Sequence, residues 1–139
     1  MNAIIPGIET HFWDGIGYQP LVFSHDWMVA LLNWEPIFDI NNANEIERHN
    51  QSDEVFVLLR GQAVLFAGVD MDQLQMIAMK PGTVYNVLKG TWHNLLATKD
   101  AAWIIVENRE THLYDTEIRP LTDQEKYQMS TSVPDWAKK

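Results

Sequence analysis

The sequence predicts an all-β chain, an antiparallel sandwich or barrel of nine or ten strands. Three observations lead there. Helical periodicity is scarce. Short runs rich in Val, Ile, Leu, Phe and Trp recur instead, at intervals of roughly ten residues. The breaks between them carry Gly, Pro, Asn and Asp, the residues of turns.

In chain order the expected strands are 20–24 (PLVFS), 27–34 (WMVALLNW), 44–49 (NEIERH), 54–59 (EVFVLL) and 62–68 (QAVLFAG). They continue at 73–79 (QLQMIAM), 83–87 (TVYNV), 92–98 (WHNLLAT) and 102–108 (AWIIVEN), with a last one near 113–118 (LYDTEI). Turns are expected at Arg60-Gly61, from Gly68 to Asp72, and at Pro81-Gly82, Lys89-Gly90 and Lys99-Asp100. One helix is expected near the end. In LTDQEKYQM, Thr122 precedes Glu125 by three positions, the pattern of a capping box. The tail STSVPDWAKK reads as extended against the body or a partner chain.

The 139 residues suit one domain, and a hydrophobic share of 46% implies a packed core. Cysteine is absent, which excludes disulfides, thiolate nucleophiles and Cys-ligated metal sites. The opening MNAIIPGIETHFWDG has neither the basic start nor the apolar stretch of a signal peptide, and no run reaches the length of a membrane span. A cytoplasmic protein without a membrane partner is expected. Net charge is -9, from 10 basic and 19 acidic residues, so nucleic acid is not an expected partner.

The stretch ERHNQSDEVFVLLRG (47–61) holds the chemistry-bearing residues. On a strand, Glu47 and His49 share a face with Cα atoms about 6.5–7 Å apart, close enough for both side chains to reach one metal ion. Glu54 falls out of phase with them, but Asn50-Gln51-Ser52-Asp53 are turn formers, and a bend there resets the phase. Glu54 then faces the same interior as His49. The run VFVLL after it is apolar on both alternating faces, as in a strand buried in a sandwich, and Gly61 is expected to make a hairpin to QAVLF. The plainer reading makes His49 and Glu54 a solvated strand end, and Glu47 a surface residue. His93, early in a later strand after the Lys89-Gly90 turn, weighs toward a shared pocket.

The spacing His49-x4-Glu54-x6-Gly61 resembles the second half of the first cupin motif, and Gly82-x7-Gly90-x2-His93 resembles the second motif. The resemblance spans about residues 45–108. It implies a single antiparallel double-stranded β-helix, the cupin jelly-roll barrel, followed by the short C-terminal helix and tail at about 121–139. It also implies one divalent metal held by Glu47, His49, Glu54 and His93, with Glu47 standing where the family usually has His. Leu88 replaces a usual Pro. A Glu/His/Glu/His set suits Mn, Zn, Fe or Ni. Such a metal polarises a carbonyl or enolate oxygen, and Glu54 or Glu47 moves a proton. Two carboxylates in one interior repel unless a cation or a proton lies between them.

The resemblance therefore implies a metal-binding pocket acting on a small polar metabolite, a sugar or carboxylate, by isomerase, lyase or oxygenase chemistry. The alternative is a non-catalytic binding or sensing protein whose metal site has degenerated. A homodimer is expected from family habit and from Trp13, Trp27 and Trp34 near the N-terminus. Ser24-His25-Asp26 has the residue types of a triad, but neighbours on a strand face opposite ways. Asp70-Met71-Asp72 reads as a turn, and His11, His25 and His112 have no partner at ligand spacing. Trp92 is expected to face away from the pocket, whereas Tyr85, Phe56 and Leu58 are in place either to line it or to fill the core.

Overall fold

Residues 2–69 and 73–138 are described by the structure, a computed structural model. The first strands are β1 (Asn2–Ile5), β2 (Ile8–His11), β3 (Tyr18–Ser24), β4 (Trp27–Asn33), β5 (Glu45–Arg48) and β6 (Glu54–Arg60). Then come β7 (Ala63–Gly68), β8 (Gln75–Ala78), β9 (Val84–Val87), β10 (Trp92–Ala97), β11 (Ala102–Asn108) and β12 (Glu117–Pro120). Two helices, α1 (Thr111–Tyr114) and α2 (Asp123–Ser132), flank β12, and a 3-10 turn at Asp135–Lys138 follows α2.

The strands form two antiparallel five-stranded sheets, ordered β12-β5-β10-β7-β8 and β3-β4-β11-β6-β9, the arrangement of a jelly roll. Between them lies one core, where Leu32, Phe56, Leu58, Trp103 and Ile105 of one sheet meet Ala63, Leu65, Leu95 and Ala97 of the other. A second apolar cluster covers the outer face of the first sheet, joining Ile46, Val64, Phe66, Trp92 and Leu96 to Leu121, Met129, Val133 and Ala137. With both faces of that sheet covered, β7 is buried at nearly every position. Helix α2 starts as its sequence predicts: Thr122 Oγ1 accepts from Glu125 N at 3.1 Å, and Glu125 Oε1 accepts from Thr122 N at 2.9 Å.

Several expectations need correction. Gly61 does not make a hairpin: β6 and β7 lie in different sheets, and the turn carries the chain across the core. It runs beside the Thr98–Ala101 turn, where Thr98 N donates to Gln62 O at 2.9 Å. VFVLL is not buried on both faces, since Phe56 and Leu58 are internal while Leu59 is 44% exposed. The last strand begins at Glu117, and the first part of the expected 113–118 segment belongs to α1, whose Glu110 N-cap has φ +66°. The tail continues α2 to Ser132 and then coils into the 3-10 turn, with Val133 and Ala137 packed on the body. The β1–β2 hairpin was not foreseen; it forms a separate two-stranded sheet, and Ile5 and Ile8 beside its turn stay exposed. Asp70-Met71-Asp72 lies outside the described residues.

No helix among the described residues is long and apolar enough to cross a membrane.

Candidate metal centre

The bend after β5 is built by hydrogen bonds to backbone N–H groups. The Asp115 carboxylate accepts from Asn50 N at 3.0 Å and Gln51 N at 2.9 Å. Asp53 accepts from Lys89 N at 2.8 Å and from Asn86 Nδ2 at 3.1 Å, tying the bend to the turn before β10. The strand phase resets across this bend, and Glu54 enters β6 facing the interior, only 5% exposed.

From the opposite sheet come Glu47 on β5, His49 just beyond it, and His93 on β10, which sits directly across from Glu47 in the β5–β10 ladder. His49 Nε2 and His93 Nε2 each lie 3.0 Å from the same atom, Glu54 Oε1. Glu47 Oε1 is 3.9 Å from His93 Nε2, on the rim of the group, with its side chain 42% exposed. One ligand atom from each of the four residues lies within 4.8 Å of all the others. All four sequence candidates therefore meet. Trp92 faces the outer cluster as expected. Phe56 lines the cavity, whereas Leu58 and Tyr85 belong to the core and its margin.

The outer nitrogens of both rings point at backbone carbonyls: His49 Nδ1 lies 2.6 Å from Asp115 O, and His93 Nδ1 lies 3.0 Å from Thr91 O. A carbonyl only accepts, so each Nδ1 is the donor and carries hydrogen. In neutral rings that leaves both Nε2 lone pairs aimed at a carboxylate oxygen, which also only accepts. Protons or a cation must lie between them. With protons there, burial opposes charge on the rings but the Glu54 carboxylate outweighs it, raising His49 to about 9. His93 is raised for the same reason. Burial pushes the Glu54 carboxyl up, yet hydrogen bonds from the two histidines hold it far below the carboxylate range, at about 2. Burial raises Glu47.

A metal meets the same requirement in another way. The ring tautomers are those of metal-ligating histidines, with Nδ1–H on a carbonyl and Nε2 free. Two imidazoles and two carboxylates form a donor set for divalent transition metals. The residues fit such an ion.

Sequence reasoning missed the other half of the pocket. Glu107 on β11 stands directly across from Glu54 and is 4% exposed. Its Oε2 accepts from Tyr18 Oη at 2.7 Å, while Oε1 has no hydrogen-bond partner. Burial, then the charge of Glu54, raises Glu107 to about 8. The available signal was phase, since Glu107 continues the inward series of Trp103 and Ile105. His112, which has no partner at ligand spacing in the sequence, also lines the cavity, with its ring centroid 5.4 Å from that of Tyr18. The cavity measures about 510 Å³.

No family model matches the sequence, and no curated protein matches it. Solved structures do. A cupin-2 domain protein from Shewanella frigidimarina is 23% identical over 70% of this chain and 85% of its own, with a TM-score of 0.51. Hydroxypropylphosphonic acid epoxidase from S. wedmorenis is 17% identical over 78% of this chain, with a TM-score of 0.52. This chain spans 63% of that enzyme's length. The Fe(II) form of HppE bound to substrate aligns with a TM-score of 0.54 at 16% identity. At these identities the likeness is one of fold. The fold is the cupin jelly roll, in a small chain that places a possible metal-binding group of Glu and His residues between its two sheets.

Proposed function

We propose that this protein is a metal-binding cupin acting on a small polar metabolite, a sugar or carboxylate, with isomerase, lyase or oxygenase chemistry. The observation that carries the reading is the pair of histidines whose Nε2 atoms lie 3.0 Å from one Glu54 oxygen while both Nδ1 atoms face backbone carbonyls. Glu47, His49, Glu54 and His93 would hold the ion, one of Mn, Zn, Fe or Ni. The Fe(II) and Co(II) forms of HppE, a neighbour in fold, support a divalent metal here. A bound cation supplies polarisation of a carbonyl or enolate oxygen. Of the two carboxylates, Glu54 holds both imidazoles in place. Glu47, on the rim of the group with its side chain 42% exposed, is the carboxylate placed to take or return a proton.

Metal analysis of protein purified without added metal, followed by calorimetric titration with Mn²⁺, tests the reading. Stoichiometric metal or saturable binding is expected. Protein that neither retains nor takes up metal would sink it.

A second reading, non-catalytic binding or sensing with a degenerate metal site, is favoured by Glu47, which stands 3.9 Å from His93 where the other contacts are 3.0 Å. Turnover that is lost in His93→Ala would exclude this alternative.

A homodimer in the cytoplasm belongs to the same proposal. Ile5, Ile8 and Ile16 expose apolar surface near the N-terminus. Light scattering at micromolar concentration should give twice the 16.1 kDa chain mass, and a monomer mass would refute the dimer.

A further inference from the structure

The strands that carry Glu47, His49 and His93 are joined by little backbone pairing. Among the described residues β5 meets β10 at a single ladder pair, Glu47 with His93. By contrast, β10 pairs with β7 all the way from Trp92–Gly68 to Ala97–Ala63. Beside the single pair, Gly90 N donates to His49 O at 2.6 Å and Asn94 Nδ2 donates to Glu45 O at 3.4 Å. Metal ligands work only when their supports hold them closely in place, so a further tie between these two strands bears directly on the site.

Alternation places that tie on the other face of the sheet. Glu47, His49 and His93 face the interior, so their chain neighbours Arg48 and Trp92 face outward. There the Arg48 guanidinium carbon lies 4.5 Å from the centroid of the buried Trp92 ring. Glu117 fixes the same guanidinium: Nη2 donates to Oε1 at 3.1 Å and to Oε2 at 3.0 Å, and Nε donates to Oε1 at 3.3 Å. Glu117 is the ladder partner of Arg48 and also accepts from Asn50 Nδ2 at 3.3 Å, so it grips the chain on both sides of His49. A surface ion pair alone contributes little. A guanidinium held by both oxygens of one carboxylate and resting on a buried indole has a defined position. Through it β12, β5 and β10 are tied together directly behind the ligands.

We propose that Arg48 is a positioning residue of the metal centre. Stacked on Trp92 and gripped by Glu117, it sets the placement of β5 against β10, and with it the distance of Glu47 and His49 from His93. Arg48 is not among the residues lining the cavity, so it acts through the ligands beside it. This assignment rests on the metal reading above and extends it to a residue outside the four ligands. Charge and position predict opposite outcomes for its removal. By charge alone, deleting a cation one residue from two ligands strengthens the binding of a divalent ion. By loss of position, it weakens that binding.

The test compares wild type with Arg48→Ala, Arg48→Lys and Glu125→Gln. The last disturbs Arg119, which lies 4.6 Å from the centroid of the same Trp92 ring, and serves as the control for a mere loss of stability. Calorimetric titration with Mn²⁺ should show affinity about tenfold weaker in Arg48→Ala, the lower end of what outer partners of metal ligands cost. Arg48→Lys, which keeps the charge and the ring contact but not the two-oxygen grip, should fall between, and it carries the test if the alanine variant does not fold. The visible absorption of bound Co²⁺ should change in Arg48→Ala and stay as in wild type in Glu125→Gln. Mn²⁺ affinity in Arg48→Ala equal to or tighter than wild type, an unchanged Co²⁺ spectrum, or an equal loss in Glu125→Gln would overturn the proposal. Wild type that binds neither ion would overturn the metal reading instead. The imidazole ¹H–¹⁵N signals of His49 and His93 in metal-free protein then decide the role of Arg48: they should shift in Arg48→Ala but not in Glu125→Gln, and unchanged signals refute it.

Discussion

Glu54 and Glu107 are cross-strand partners on β6 and β11, both buried, yet their surroundings drive them in opposite directions. Two histidines hold Glu54 ionised; Glu107, which accepts from the Tyr18 hydroxyl, is pushed toward its neutral form by burial and by Glu54 itself. The two innermost carboxyls are thus held in different states, Glu54 charged beside the histidines and Glu107 favoured neutral.

Glu54→Gln should abolish most metal affinity, because one charged ligand is lost and an amide cannot hold two Nε2 atoms in the same way. Outer-shell changes alone cost about 10–100-fold in metal affinity, so a loss of at least that size is expected. Calorimetric Mn²⁺ titration reads it, and near-wild-type affinity would show that Glu54 is no ligand.

Asp115→Ala should act on the site from outside it. The Asp115 side chain accepts from Asn50 and Gln51 N–H, and its carbonyl accepts from His49 Nδ1. Losing the carboxylate frees the bend that orients His49. We expect a stability loss of about 1–2 kcal/mol in urea unfolding, alongside weakened metal binding.

Two glycines should respond differently to alanine. Gly61 has φ +80°, and a Cβ there would come 2.7 Å from Ala101 Cα, a backbone atom that cannot yield cheaply. Gly82 has φ +78° but nothing within 4 Å. Gly82→Ala should cost about 1–2 kcal/mol, the strain of a left-handed residue alone. Gly61→Ala should cost clearly more, by about 1–3 kcal/mol of overpacking added to that strain. Equal midpoint shifts in denaturant would contradict the close approach of Gly61 to Ala101.

Acid should loosen the C-terminal helix. Hydrogen bonds from Arg119, at 2.7 and 2.8 Å, hold the Glu125 carboxyl below its ordinary 4.5, the capping box adding to the effect. A lowered carboxyl stabilises the fold above the unfolded value and loses that contribution as pH falls through the folded one. Glu125→Gln should therefore be destabilised relative to wild type at pH 7. The gap should narrow progressively below about pH 4.5. A gap independent of pH between 3 and 7 would refute the ionic role of Glu125.

Local patterns made most of the strands legible. Turn chemistry at Pro81-Gly82 and Lys99-Asp100 marked their ends, and a helix cap needs only Thr122 and Glu125, three residues apart. The β1–β2 hairpin escaped because Ile5 and Ile8–Thr10 are exposed, so no apolar alternation marks them. The Gly61 turn was read as a hairpin because a tight turn looks alike within one sheet or between two. Only long-range pairing tells them apart, here β6 with β11 and β7 with β10.

By itself the sequence determined most of the strands, the capped helix, the absence of thiol chemistry, and a motif spacing that singled out Glu47, His49, Glu54 and His93. Those are properties of neighbours along the chain or of composition. The tertiary structure alone decided that Glu54 lies between two histidines, that Glu47 sits on the rim, and that Tyr18, Glu107 and His112 complete the cavity. Tyr18 and Glu107 are 89 positions apart yet hydrogen-bonded, and no local pattern encodes a contact made by folding two sheets face to face.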